Sequence, residues 1–161
     1  DSIVAIVSDT AANMNAAGIL FNSPHHYCVA HVLELTTGFA FKDENVPGAE
    51  NTMKSARSLI GHFRHSHQLT GILLELQVGT KVGVIEDVAT RWWSTYRSCE
   101  RLLRLKTYFA IMTADYGLTC NLTDEQWKII ELICEVLKPF MEVQKLLEAQ
   151  KYVTISLIPY M

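Results

Sequence analysis

The chain has 161 residues, of which 49% are apolar and 19% charged. That is enough for one domain with a real core, or for parts of two, with the composition of an ordinary globular protein. A formal net charge of −3 excludes the overall basic balance of a self-sufficient nucleic-acid-binding module, so any DNA contact must come from local patches or from residues outside the chain.

The apolar stretches fall well short of the roughly 18–20 residues that a membrane span needs. No basic segment followed by an apolar run and a cleavage site opens the chain, so no signal peptide is expected. The first residues, Asp1-Ser2-Ile3-Val4, already read as a strand, and Ile158–Met161 lies inside an apolar segment. Both ends therefore suggest a central piece of a longer protein. Four cysteines, Cys28, Cys99, Cys120 and Cys134, include no CxxC pair. Without a secretory signal they are expected to be free thiols in a reducing compartment.

Ser2–Ser8 (SIVAIVS) is a short apolar run rich in β-branched residues and reads as a buried strand. Thr10–Leu20, rich in alanine, reads as the helix that follows it. Asn22-Ser23-Pro24 signals a turn. His26–Val29 is expected to be a second short strand and Ala30–Phe39 a helix. Strand–helix–strand–helix is the pattern of a partial α/β sheet.

Lys42–Glu50 (KDENVPGAE) is a polar loop, and beyond it the pattern turns helical. Helices are expected over Thr52–Ser66 and Gln68–Gln77, followed by a glycine-containing loop over Val78–Asp87. Another helix is expected over Trp92–Met112, with Leu102, Leu105, Phe109 and Met112 at helical spacing. Thr123 and Gln126 are placed to form a capping box. The long amphipathic helix Trp127–Gln150 follows, with a kink at Pro139 allowed for. Val153–Ile158 opens a further element. The fold class that results is α/β plus all-α, without internal repeats.

Three short motifs carry the chemistry. In SDTAAN (Ser8–Asn13), Asp9 stands at the C-terminal end of the first strand, where α/β folds place ligand sites. A carboxylate there can hold a divalent cation, as in two-metal phosphoryl transfer. It can equally take an orphan N–H at the start of the next helix, and spacing alone favours that cap.

Cys28 and His31 stand one helical turn apart. Two further soft ligands would make a zinc site, but the arrangement with His25 and His26 is not that of a zinc finger. A half-buried cysteine beside a histidine at a helix start accounts for the pair. In TRWWSTY (Thr90–Tyr96), Trp92 and Trp93 follow Arg91. Exposed aromatics beside a cation stack on unpaired bases, worth about 1–3 kcal/mol per base, whereas a core anchor is the commoner use of tryptophan. One of the two is expected to be core. Arg97, Arg101 and Arg104 share a helix face, either a phosphate-contact stripe or a solvated surface.

Together these segments resemble the hAT superfamily of DNA transposases and the zinc-finger BED domain proteins derived from them. SDTAAN is similar to the family's T-D-N-A-x-N, and YCVAHVLEL to C-x-A-H-x-L-x-L. Ser58–Ser66 (SLIGHFRHS) is similar to h-x-x-F-R-x-S. Asp87–Leu103 (DVATRWWSTYRSCERLL) is similar to D-V-x-T-R-W-N-S-T-Y-x-M-L-x-R-L, and Glu125–Phe140 resembles the segment that ends L-x-P-F. The segments occur in the family's order along nearly the whole chain.

The resemblance implies a partial RNase H-like α/β core over residues 1–41, a loop over 42–51, and a mainly helical insertion over 52–161. It implies that the full-length protein cleaves and transfers DNA strands with Mg²⁺ (or Mn²⁺), acts on transposon ends as a homo-oligomer in the nucleus, and makes no membrane contact. Asp9 matches the second carboxylate, and so a metal ligand, of the family's Asp-Asp-Glu triad. Cys28 and His31 match a supporting motif. Arg91 and Trp92 match the RW pair associated with a flipped base beside the transposon end.

The other two triad carboxylates have no match in this chain, so the 161 residues alone are expected to be inactive. Thr10 and Trp93 stand where the family pattern has asparagine. The alternative reading is a domesticated, non-catalytic DNA-binding or regulatory protein that acts through an N-terminal zinc finger and oligomerisation. An unrelated helical interaction domain would leave the ordered motifs unexplained.

Overall fold

The computed structural model describes residues 6–20, 24–40, 45–88, 92–119 and 121–147. It begins with a βαβ unit: β1 (Ile6–Ser8), α1 (Ala12–Leu20) and β2 (His25–Tyr27). The two strands are parallel, with Ile6 opposite His25 and Ser8 opposite Tyr27. Backbone bonds extend the pairing at both ends, from Ile6 N to Pro24 O (2.8 Å) and from Cys28 N to Ser8 O (2.6 Å). α1 starts two residues later than its alanine content suggests, because Asp9, Thr10 and Ala11 form the turn into it. α2 (Val29–Ala40) follows β2 and packs against the two long helices described below.

Four helices form the rest: α3 (Ala49–His65), α4 (His67–Glu75), α5 (Trp92–Asp115) and α6 (Asp124–Leu147). The molecule is thus mainly helical with a small parallel sheet. The helical character expected after residue 51 is present. The segment expected at Val153–Ile158 lies outside the described residues.

Local chemistry sets the helix ends. α3 begins at Ala49 rather than Thr52 because Gly48 holds φ +81°, the left-handed conformation that favours glycine. A Cβ there would also come within 3.3 Å of Ile129 Cδ1. Ser66 ends α3 and starts α4. Its extended backbone breaks the helix, and its hydroxyl accepts from Leu69 N (3.2 Å) as an N-cap. α5 stops where Gly117, at φ +68°, turns the chain so that Leu118 N–H reaches Met112 O. α6 opens with the expected capping box. Gln126 N donates to Thr123 Oγ1 (3.2 Å), and Thr123 N donates to Gln126 Oε1 (3.0 Å). The helix runs on through Pro139, which gives up one backbone donor.

The core lies among α3–α6. Met53, Ala56, Leu59, Ile60 and Phe63 line one face of α3. Cys99, Leu102, Leu105, Phe109 and Met112 line α5, and Trp127, Ile130, Ile133 and Leu137 line α6. Phe109 is its centre: its ring centroid is 5.2 Å from that of Phe63 and 6.3 Å from that of Trp127. No helix among the described residues is long and apolar enough to cross a membrane.

Candidate functional site

The C-terminal edge of the two-stranded sheet gathers the residues of the first two motifs. Register places Asp9 just past β1 and Cys28 just past β2. Asp9 Oδ1 accepts from Ala11 N at 3.1 Å, so the carboxylate does organise the start of α1. Its other oxygen has no hydrogen-bond partner among the described residues, and the residue is exposed.

His31, in the first turn of α2, places Nε2 3.1 Å from Thr10 Oγ1. This bond ties the strand–helix turn that carries Asp9 to the helix that follows β2. Ser8 is buried; its Oγ donates to Asp9 O (3.0 Å) and lies 2.7 Å from His25 Nε2. A hydroxyl has a single hydrogen, so with that bond made His25 Nε2 is the donor to Ser8. Cys28 is a half-buried free thiol.

This edge supplies one outward hard-oxygen ligand. No group of three or more His, Cys, Asp or Glu side chains among the described residues could hold a metal ion. On their own, then, the described residues do not make a Mg²⁺ site. An exposed carboxylate that keeps one oxygen outward can be part of one, because Mg²⁺ is commonly bound by one or two carboxylates plus waters and phosphates.

The third motif is divided. Arg91 lies outside the described residues. Trp92 opens α5, but its side chain is likewise outside the description. Trp93 is half-buried and packs against the core, with the Arg97 guanidinium 5.0 Å from its ring centroid. The expectation that one tryptophan serves the core is met by Trp93.

The rest of this motif is a clasp that sequence reading did not find. The Asp87 carboxylate is fully buried at the start of α5. Arg57 Nε donates to its Oδ2 (2.7 Å), and Thr95 Oγ1 donates to its Oδ1 (2.7 Å). Ser94 Oγ accepts from Val88 N at 2.9 Å. The D-V-x-x-R-W-x-S-T spacing therefore closes a loop back onto the helix that follows it.

The same helix holds the preceding segment, residues 77–88, by its backbone. Ser98 Oγ donates to Ile85 O (2.9 Å), Arg101 Nη1 to Gly83 O (2.7 Å) and Arg104 Nη2 to Thr80 O (3.3 Å). Two of the three arginines proposed as a phosphate stripe thus bind backbone carbonyls. Gln77 brackets the same segment, donating to Val82 O and accepting from Val82 N, each at 2.9 Å. Arg64 pairs with Glu86. A polar pocket of about 260 Å³ between α5 and α6 is lined by Arg97, Glu100, Lys138, Glu142 and Lys145. Tyr96 also lines it; burial, and then its hydrogen bond to Glu100, push its pKa up to about 12.

Residues 26–136 match the model of the ZBED1 RNase-like helical domain. The chain belongs to this family. The match begins in β2 and ends in α6, so it takes in Cys28, His31, the Asp87 clasp, Arg91 and Trp92, and leaves Asp9 outside. The chain is 23% identical over 159 residues to the human zinc finger BED domain-containing protein 4, covering 95% of this chain and 13% of that protein. It is 25% identical over 163 residues to "Putative AC transposase" of Zea mays, covering 96% and 19%. To "Putative transcriptional regulator tpeD" of Talaromyces stipitatus it is 32% identical over 107 residues, covering 65% and 13%. No solved structure matches the chain. It therefore spans less than a fifth of the length of these relatives. The resemblance to transposase-derived BED proteins stands on family membership and on these relatives together.

Proposed function

We propose that this ZBED1-type domain is the central part of a transposase-derived protein that acts on DNA in the nucleus. The βαβ unit is the part of an RNase H-like core contained in residues 1–41, and the helices of 52–161 are its insertion. The observation that carries the reading is the placement of Asp9. It ends a parallel strand with one oxygen outward, and the Thr10–His31 hydrogen bond holds its turn against the first turn of α2.

In this reading Asp9 is one of the carboxylates that hold Mg²⁺ or Mn²⁺ in the full-length protein. The other ligands come from residues outside the described set and from DNA phosphates. The metal would activate the attacking oxygen and stabilise the leaving one. His31 is a positioning residue for the Asp9 turn, and Cys28 supports the same edge. Arg91 and Trp92 meet the DNA beside the cleavage point, and the protein works as a homo-oligomer.

The test is cleavage of transposon-end DNA with Mg²⁺ by the full-length protein. Asp9→Asn should abolish cleavage while leaving DNA binding intact. His31→Ala should cost about 10–100-fold, the usual loss when the support of a metal ligand is removed. Equal cleavage by wild type and Asp9→Asn would remove Asp9 from the chemistry.

The second reading is a domesticated regulator in which the same fold is a scaffold. The relative named as a transcriptional regulator and the BED-type relative favour it. In that case DNA occupancy and target-gene expression are unchanged by Asp9→Asn, and no cleavage is detected in wild type.

A further inference from the structure

The pocket of about 260 Å³ between α5 and α6 brings together Arg97, Lys138 and Lys145, three cations from two helices. Its floor is buried: Met141 is 5% and Tyr96 9% exposed. Its charged walls are exposed. Arg101 and Arg104 bind backbone carbonyls, but Arg97 does not. Its guanidinium lies 5.0 Å from the Trp93 ring centroid, a contact that orients its plane and leaves the N–H edge for a ligand. Among the described residues, none of the three cations is ion-paired with a carboxylate. Tyr96 O–H donates to Glu100 at 3.0 Å, so that carboxylate already has a partner in the pocket.

Charge and size select the ligand. Three cations against two carboxylates, Glu100 and Glu142, leave a formal charge of +1. One backbone phosphodiester, with its single negative charge, neutralises that, whereas a phosphate monoester carries close to two charges. Two carboxylates do not suffice for a cation, and no group of three or more His, Cys, Asp or Glu among the described residues could hold a metal ion. The volume exceeds the ~30 Å³ share of a water but is below the roughly 300–1,000 Å³ that encloses a whole small-molecule ligand. It suits one link of a chain.

Trp92 opens the same helix. At about 1.5 Å of rise per residue, Arg97 stands ~7.5 Å further along its axis, the length of about two nucleotide steps at ~3.4 Å each. We propose that Arg97, Lys138 and Lys145 hold one backbone phosphodiester of the DNA strand that meets Trp92. This deepens the DNA reading above and rests on it.

The test is fluorescence-anisotropy binding of the full-length, zinc-loaded protein to a transposon-end duplex, at salt concentrations from about 50 to 200 mM. The triple variant Arg97→Gln/Lys138→Gln/Lys145→Gln should bind about tenfold more weakly, the sum of three exposed charge contacts. Its slope of log K against log salt should be shallower by about 0.9, the share of one phosphate. Glu142→Gln should tighten binding about twofold. Lys128→Gln, which removes an exposed α6 cation outside the pocket, should leave the slope unchanged. All variants should match wild type in melting temperature. With phosphates replaced one at a time by neutral methylphosphonate, one position should weaken wild type and leave the triple variant unaffected. No binding by wild type would overturn the DNA reading and this proposal with it. Wild-type binding with an equal slope in the triple variant, an equal slope change in Lys128→Gln, or the same methylphosphonate profile in wild type and triple variant would overturn this proposal alone.

Discussion

From Met53 to Met141 the helices α3–α6 enclose a continuous core, with Phe109 between Phe63 and Trp127. Among the residues from Ile6 to Ala40 whose side chains are described, only Ser8 is buried, and several carry apolar surface outward: Ile19 and Leu20 are each 86% exposed, Val7 50% and Tyr27 49%. The two regions divide the labour. A two-stranded sheet has unpaired edges and is marginal by itself, so the βαβ unit leans on the bundle through α2. The bundle supplies stability, and the thin α/β end presents Asp9, Thr10, Cys28 and His31 at an open edge. Functional elements are commonly drawn from the less stable part of a molecule.

The comparison breaks first at Phe109. Phe109→Ala should cost about 3–5 kcal/mol, read by denaturant unfolding. A loss under about 1 kcal/mol would show that the core is not where stability lies. Asp87→Ala should come next, at about 2–3 kcal/mol: it strips a buried carboxylate from Arg57 and Thr95, but Arg57 is itself 44% exposed and can rehydrate. Protease sensitivity should rise within residues 77–88 in the same variant.

Alkaline pH gives a smaller effect. Tyr96 is held protonated to about pH 12 in the folded state, whereas an unfolded tyrosine ionises near pH 10. Its contribution is therefore fully present below pH 10 and is lost between about pH 10 and 12. Tyr96→Phe should flatten the fall in stability over that window, and identical pH profiles would remove Tyr96 as its source. Least of all, Leu20→Ser on the exposed α1 should stay within about 0.5 kcal/mol. A loss of several kcal/mol would mean that the α/β end has a packed partner.

The long helices were legible because their buried positions repeat at helical spacing, and the α6 start because Thr123 and Gln126 stand at capping-box distance. The strand–helix–strand order could be read from β-branched runs and turn residues, and the position of Asp9 followed from it. The Asp87 clasp could not be read, because its partner Arg57 lies 30 residues upstream and a carboxylate beside a loop looks solvated until the fold buries it. Arg101 and Arg104 looked like surface cations for the same reason. Their carbonyl partners lie 18 and 24 residues upstream, in a segment with no regular structure. The start of α3 was misplaced because one glycine dihedral decides it.

The division between bundle and edge is tested most directly by native-state hydrogen exchange, amide by amide. Leu59–Phe63, Leu102–Phe109 and Ile130–Leu137 should exchange only on global unfolding. Ile6 and Cys28, although both hydrogen-bonded in the sheet, should exchange through local opening at far lower free energy. Equal protection of the sheet and the bundle would contradict the account and make the α/β edge part of one cooperative core.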